Sequence, residues 1–335
     1  MPGSFKLAAC LCLSLCFWIA GREAAWPGCL GDDLFAVREK GWNWGEELRR
    51  SAASLPHREG RFWKISGGTG APSYVFGTLH LSDPRLASIP PDVAERIRDA
   101  SILAVETTEV SSLGAGRLGQ QARRELQASI RAPNGRRAGT LLDPSDYEAL
   151  EQLAEERGLP PAAARFWKAP VLALLLDLPP CATAGKQPYL DSLVVQLARR
   201  HGVEIVGLET LAEQFGVFDG LSPESERALL VSVLRQASFG ASVVESQIGR
   251  FLARDAGGIV ALMRIGPNPE TPDSRTPPEF LERLLDVRTA RMAERLQPYL
   301  ERGNAVVAIG IAHLPGSDGL IARLQKAGYT VSALD

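Results

Sequence analysis

Two of the chain's four histidines occur in the same local context, each ending a short apolar run and following a glycine by three residues. His80 ends the run YVFGTLH at residues 74–80, and His313 ends VVAIGIAH at residues 306–313. Apolar, β-branched runs of this type predict buried parallel strands. The carboxyl ends of parallel strands meet at one edge of an open α/β sheet, where such sheets build their sites. We therefore expect two imidazole rings, from distant parts of the chain, to meet at one site.

Two further predicted strands end on a carboxylate. Residues 102–106 (ILAVE) end at Glu106, and residues 203–209 (VEIVGLE) end at Glu209. A carboxylate at the end of a buried strand is costly to bury without a partner, which favours a functional role for Glu106. Glu209 has an alternative interpretation, since it could cap the helix that we predict to begin near Leu211.

Two imidazoles with one or two carboxylates form a ligand set that suits a divalent transition metal with an open coordination position. We expect His80, His313 and Glu106 to bind Mn, Co or Zn. Such a metal can lower the pKa of bound water to about 7 and so supply hydroxide near neutral pH. Glu106, or Glu209 beside it, could instead remain unligated and act as general base. A lone histidine at a strand end is more often structural, so the argument rests on the matching pair.

Two arginines lie about one turn apart in a helix predicted over residues 278–301. Arg288 and Arg291 are placed to form salt bridges with Glu282 or Glu294, which is the interpretation that we favour. The alternative is that one arginine faces the site and holds an anion or oxyanion.

The first residues have the layout of a secretory signal. Lys6 precedes the uncharged apolar residues 7–20, and small residues follow near positions 24 and 25. This stretch is too short to span a bilayer comfortably. We expect residues 1–25 to be a signal peptide and residues 26–335 to be periplasmic or secreted, with membrane contact only through an uncleaved signal. Cys29 and Cys181 then remain, and the sequence leaves open whether they form a disulfide.

The predicted elements indicate an α/β fold with a central mixed β-sheet flanked by helices. Residues 61–65 and 73–78 predict a hairpin, residues 305–310 and 329–333 predict two C-terminal strands, and a large helical insert covers about residues 112–300. The elements are consistent with one domain over residues 26–335. A formal net charge of −2 indicates no basic face, so we expect no nucleic-acid partner.

An ordered set of motifs resembles the TraB/PrgY/GumN family, to which the Tiki metalloproteases belong. The motifs are YVFGTLH, AVET at 104–107, VGLET at 206–210, RTARM at 288–292, AIGIAHLPG at 308–316 and GYTV at 328–331. The resemblance implies a fold akin to erythromycin esterase and ChaN-like proteins, and a divalent-metal hydrolase that cuts peptide bonds in the Tiki branch. The family's paired histidines and strand-end glutamate match His80, His313 and Glu106. Family members often have Arg-Asn where this chain has Arg288-Thr289, which puts the contribution of this helix in doubt.

The leading hypothesis is therefore a divalent-metal-dependent hydrolase, most plausibly a peptidase, acting on a peptide or small-molecule substrate. Two alternatives stay open. One is a binding protein that captures a peptide, haem or small ligand without turnover. The other is a metal-free, esterase-like hydrolase that uses His80 or His313 as base, although the nucleophile motif Gly-x-Ser-x-Gly is absent. The sequence determines neither the substrate, nor the metal, nor the oligomeric state.

Overall fold

A mixed sheet of six strands forms the centre of the described structure. The computed structural model describes residues 29–37, 44–109, 117–133, 136–183, 187–267 and 275–335, so the predicted signal peptide lies outside the described residues. The strands are β1 Phe62–Ser66, β2 Ser73–Thr78, β3 Ile102–Val105, β4 Glu204–Gly207, β5 Ala305–Gly310 and β6 Thr330–Ala333. Their order across the sheet is β4-β3-β5-β2-β1-β6. The predicted α/β class with a mixed sheet flanked by helices is confirmed.

The strand register brings the ends of four strands to one edge of the sheet. Strands β4, β3, β5 and β2 run parallel, whereas β1 pairs antiparallel with both β2 and β6, which confirms the predicted hairpin. Thr78 lies opposite Gly310, and Val105 lies opposite both Ala308 and Gly207. Every residue of β5 is buried, as expected for a central parallel strand covered on both faces.

The helices account for most of the rest of the described chain. The described chain also contains a π-helical segment, Glu282–Val287. Short 3₁₀ turns lie at Pro84–Leu86, Ala237–Phe239 and Ile311–His313. The helices are α1 Trp44–Ala53, α2 Pro91–Asp99, α3 Arg117–Ile130, α4 Ala138–Leu141, α5 Pro144–Glu156, α6 Pro161–Phe166, α7 Ala169–Leu176, α8 Pro180–Thr183, α9 Leu190–Arg200, α10 Leu211–Gly216, α11 Pro223–Gln236, α12 Gly240–Leu252, α13 Ala256–Ile265, α14 Pro278–Leu281, α15 Arg288–Arg302 and α16 Leu320–Lys326.

The apolar side chains form separate cores in the sheet and in the helical insert. One cluster lies around β2, β3 and β5, and another joins α5, α7, α11 and α14. Ala312 packs against both clusters, so the turn that carries His313 lies where they meet. The stretch Pro223–Leu252 is long and apolar enough to cross a membrane by length and composition, and 44% of its apolar window is buried here.

A disulfide between Cys29 and Cys181 joins the segment before α1 to helix α8, 152 residues later in the chain. The sequence had left this pairing open. Cys181 lies beside the loop that follows β2, because the backbone N–H of Ser82 donates to the carbonyl of Ala182. The disulfide therefore ties the N-terminal segment to the neighbourhood of His80.

Candidate functional site

The two glycines that precede the histidines are both sites of close approach. A Cβ on Gly77 would lie 2.9 Å from Cδ1 of Leu314 and 3.0 Å from Cβ of Ile311, so Gly77 lets the turn after β5 pack onto β2. A Cβ on Gly310 would lie 3.1 Å from Oε1 of Glu106 and 3.4 Å from Nε2 of His80. The missing side chains therefore create the space in which the two strand ends meet.

His80 lies buried beyond the end of β2, with one ring nitrogen against a carboxylate. Its Nδ1 is 2.7 Å from Oδ2 of Asp191, a residue of α9. The other oxygen of Asp191 accepts a hydrogen bond of 2.6 Å from the hydroxyl of Thr78. Nε2 of His80 lies 3.7 Å from Oε1 of Glu106 and has no hydrogen-bond partner among the described residues. The carboxylate of Asp191 thus fixes the ring and leaves Nε2 facing Glu106.

His313 lies in the 3₁₀ turn after β5 and is almost completely buried. Its Nδ1 is 2.8 Å from the hydroxyl of Thr289, at the start of α15. Its Nε2 is buried without a hydrogen-bond partner in the described part of the chain. Cδ2 of His313 and Nε2 of His80 lie 3.6 Å and 3.4 Å from the position that a Gly310 Cβ would occupy, so these two atoms are at most about 7 Å apart. The sequence-predicted histidines are therefore brought together.

A buried arginine joins the two predicted carboxylates. Arg288 is 1% exposed, and its guanidinium donates to Oε2 of Glu106 at 2.8 Å and to Oε2 of Glu209 at 2.9 Å. Arg291 donates to Oε1 of Glu209 at 2.9 Å, and the backbone N–H of Gly310 donates to Oε1 of Glu106 at 2.7 Å. All four carboxylate oxygens are therefore engaged.

The favoured salt-bridge partners of the two arginines were wrong, and so was the alternative interpretation of Glu209 as a helix cap. Arg288 and Arg291 pair with strand-end glutamates and not with Glu282 or Glu294. Glu209 does not cap α10.

The hydroxyl of Thr210 accepts from the N–H of Glu213, and the Glu213 carboxylate accepts from the N–H of Thr210, so these two residues form the capping box of α10. Glu209 is left free to pair with the arginines.

The surrounding charges shift the pKa values of the two histidines in opposite directions. Burial lowers the pKa of His80, but the carboxylates of Asp191 and Glu106 outweigh it and raise that pKa to about 10. Burial and the positive charge of Arg288 lower the pKa of His313 to about 3. Burial also opposes ionisation of Glu106, but Arg288 and His80 hold its pKa well below the usual range. His313 is therefore neutral near pH 7 and can offer a lone pair, and Glu106 is ionised. His80 is protonated at this pH, so its Nε2 must lose a proton before it can bind a metal.

The donor chemistry of these side chains suits the divalent metal that the sequence predicts. Two buried imidazole Nε2 atoms lack hydrogen-bond partners, and a carboxylate oxygen lies 3.7 Å from one of them. Each Nδ1 contacts an oxygen atom, from Asp191 or Thr289, as is usual for histidines that bind metals through Nε2. Among the described residues, no group of three His, Cys, Asp or Glu side chains is arranged to hold a metal ion. Both oxygens of Glu106 accept hydrogen bonds, from Arg288 and from the N–H of Gly310.

The sequence did not predict that Asp191 contacts His80 or that Thr289 contacts His313. Asp191 lies in the first turn of α9, distant in sequence from every predicted strand end, so no local pattern marks it. Thr289 was noted only as a departure from Arg-Asn. It contacts His313, so the departure falls on a residue that orients the candidate site.

A polar cleft of about 310 Å³ opens beside His313 and Thr289. It lies between the end of α1, helix α13, the π-helical segment and the loop 315–319. Gly316 in this loop has a φ of +101°, a conformation that favours glycine, and its N–H donates to the carbonyl of Pro56. Of the site residues, His313 and Thr289 line this cleft, whereas His80 and Glu106 do not.

The fold and the site define an α/β protein that gathers two histidines, two glutamates and an arginine at the carboxyl edge of a parallel sheet region. The family model of the TraB/PrgY/gumN family matches residues 61–333, and the chain belongs to this family. The match confirms the family that the motifs had suggested. Searches of curated proteins and of solved structures each found no match.

Proposed function

We propose that this protein is a divalent-metal-dependent hydrolase, most plausibly a peptidase. The observation that carries the proposal is the pair of buried Nε2 atoms, on His80 and His313, that have no hydrogen-bond partner in the described chain. A buried polar atom without a partner costs about 1–3 kcal/mol, and this cost applies in full to Nε2 of His313. Nε2 of His80 makes no hydrogen bond but faces Oε1 of Glu106 at 3.7 Å, so the two rings and the carboxylate together favour a site built for a ligand. Imidazole nitrogens suit Zn and similar transition metals, and the carboxylate of Glu106 would also suit Mn.

His80, His313 and Glu106 would hold the metal, which when bound would activate a water molecule or polarise a carbonyl oxygen. Asp191 and Thr289 orient the two rings through Nδ1. Arg288 keeps Glu106 ionised and in place.

Glu209 is assigned a positioning role and not that of general base. Its side chain is fully buried, and both of its oxygens accept from arginines. Glu209 instead fixes Arg288, which in turn contacts Glu106.

We further propose that the protein acts in the periplasm or after secretion. The Cys29–Cys181 disulfide supports this location, since disulfides persist mainly in oxidising compartments. The signal layout of residues 1–25 points in the same direction.

The test measures metal and turnover together. Purified mature protein is analysed for Mn, Co and Zn and then incubated with a peptide library, with and without a chelator. We expect bound metal and chelator-sensitive cleavage, both lost in a His80→Ala, His313→Ala double variant. His201→Ala is the matched control, because His201 is exposed directly after α9. Unchanged metal content in the double variant, or cleavage that survives exhaustive chelation, would refute the proposal.

A second candidate function is capture of a peptide or small ligand without turnover. The observation that favours it is the full engagement of Glu106 and Glu209, which leaves no free carboxylate to act as base. Ligand binding without cleavage by the metal-loaded protein, under the same conditions, would support this candidate over the hydrolase.

A further inference from the structure

The Cys29–Cys181 disulfide joins two short segments that are held in different ways. On the Cys29 side, the segment before α1 lies along helix α12. The backbone N–H of Asp32 donates to Oγ of Ser242 at 3.2 Å, and the N–H of Leu34 donates to Oγ of Ser246 at 2.8 Å. This side of the disulfide is therefore fixed to α12.

On the Cys181 side, helix α8 has four residues, and a helix of this length is not stable without outside contacts. The carbonyl of Ala182 accepts a hydrogen bond of 3.3 Å from the N–H of Ser82. The hydroxyl of Ser82 donates to the carbonyl of Gln187 at 2.8 Å. Because Ser82 lies two residues after His80, both contacts hold residues 79–83, which we call the His80 loop.

The residues that follow α8 also supply the carboxylate that fixes the ring of His80. Asp191 contacts Nδ1 of His80 through one oxygen and the hydroxyl of Thr78 through the other. Residues 182, 187 and 191 therefore hold the His80 loop and its imidazole from one side. The disulfide is the covalent connection between the start of this stretch and the segment fixed to α12.

A reductant can reach the disulfide from the Cys181 side, because Cys181 is half-buried whereas Cys29 is 5% exposed. In thiol–disulfide exchange, a thiolate of a dithiol attacks Sγ of Cys181, and the Cys29 thiolate leaves and takes up a proton. The second thiol of the reductant then attacks the mixed disulfide and releases Cys181 as a thiol. Two electrons and two protons thus pass to the protein, and the dithiol becomes a disulfide.

We propose that the Cys29–Cys181 disulfide is a redox-sensitive support of the His80 loop, which a dithiol reductant releases. Once it is released, α8 loses its covalent attachment to the segment on α12, and the His80 loop and Asp191 are held less firmly. Loss of a residue that orients a metal-binding histidine lowers metal affinity about 10–100-fold. The effect on metal binding rests on the proposed function, whereas the loosening of the loop does not.

The experiment compares three forms of the full mature protein. These are the oxidised protein, the protein reduced with dithiothreitol that is then removed without air, and a Cys29→Ala, Cys181→Ala double variant. Hydrogen exchange of the amides in the His80 loop is followed by mass spectrometry, and the Kd for Mn²⁺ is measured by calorimetry. Mn²⁺ is used because the thiolates of reduced cysteines suit Zn and not Mn.

We expect the reduced protein and the double variant to lose amide protection in the His80 loop and to bind Mn²⁺ at least about tenfold more weakly. Strand β3, residues 102–105, is the internal reference and should keep its protection in all three forms. The matched control is Ser246→Ala, which removes the hydrogen bond to Leu34 from the same N-terminal segment but leaves the disulfide closed. This control should match the oxidised protein in both measurements.

The outcomes separate this inference from the proposed function. Unchanged exchange in the His80 loop after reduction overturns the support and leaves the hydrolase standing. Equal loss of protection in β3 and in the loop would mean that the disulfide holds the whole fold, which also overturns the inference. Loss of protection confined to the loop, in a protein that binds no metal in either redox form, supports the redox-sensitive support and overturns the hydrolase.

Discussion

The arginine that joins the two strand-end glutamates allows a quantitative prediction. Arg288→Met removes the guanidinium and retains most of the apolar volume of the side chain. Glu106 and Glu209 would then stay in an interior where their side chains are 6% and 0% exposed. Removing one partner of a buried ion pair costs about 3–5 kcal/mol, because the remaining charge is left uncompensated.

The expected loss lies at the lower end of that range. Arg291 still contacts Glu209, and the N–H of Gly310 still donates to Glu106. We therefore expect Arg288→Met to lower the free energy of unfolding by about 3 kcal/mol. The assay is urea unfolding of the protein with the Cys29–Cys181 disulfide intact. The variant should shift the midpoint urea concentration while the slope of the unfolding free energy against urea stays unchanged.

Two comparisons test the reasoning. Arg295→Met removes an arginine that pairs with Glu213 at the surface, where both side chains are about one third exposed or more, and it should cost under about 1 kcal/mol. Adding Glu106→Gln and Glu209→Gln to Arg288→Met should restore at least about half of the lost stability, since no uncompensated charge remains. An Arg288→Met variant no less stable than Arg295→Met would refute the argument from buried charge.

Two further predictions concern the glycine at the site and the pH dependence of stability. Gly310→Ala would place a Cβ 3.1 Å from Glu106 and should lower metal affinity at least about tenfold, measured by titration calorimetry, at a cost of about 1–2 kcal/mol in unfolding free energy. Its control is Gly249→Ala, where a Cβ meets nothing within 4 Å. The hydrogen bond from Arg295 lowers the pKa of Glu213 to about 2. The stability from this pair should therefore be complete above the usual carboxyl pKa of about 4.5 and fall as the pH drops toward 2, whereas Glu213→Gln should flatten this part of a urea-midpoint profile against pH. Equal loss of metal affinity in Gly310→Ala and Gly249→Ala would contradict the first expectation. Identical profiles of urea midpoint against pH for wild type and Glu213→Gln would contradict the second.

Helix α13 is an element that hydrophobic periodicity in the sequence does not predict. Residues 256–262 are buried without interruption, so the helix presents no polar face and its sequence shows no 3.6-residue pattern. The turn at residues 315–317 predicts a helix over residues 317–327, but this helix, α16, begins at Leu320. Gly319, just before it, lies close to the carbonyls of Leu314 and Pro315.

The sequence alone determined the strands that lead to His80, Glu106, Glu209 and His313, because each is a short apolar run of strand length. The strands β2, β3 and β5 are buried, whereas β4 is a partly exposed edge strand. The sequence also places a glycine three residues before each histidine. Because the carboxyl ends of parallel strands meet at one edge of a sheet, we could expect these side chains to lie at the same edge.

Only the tertiary structure decided which charges meet at that edge. Arg288 reaches both glutamates from the first turn of α15, and Asp191 reaches His80 from helix α9, which packs against α2, β4 and β5. Such contacts join residues that are far apart in the chain, and no local pattern records them, since each side chain is ordinary for the helix in which it lies. The electrostatic character of the site is therefore a property of the packing, although the residues that compose it are fixed by the sequence.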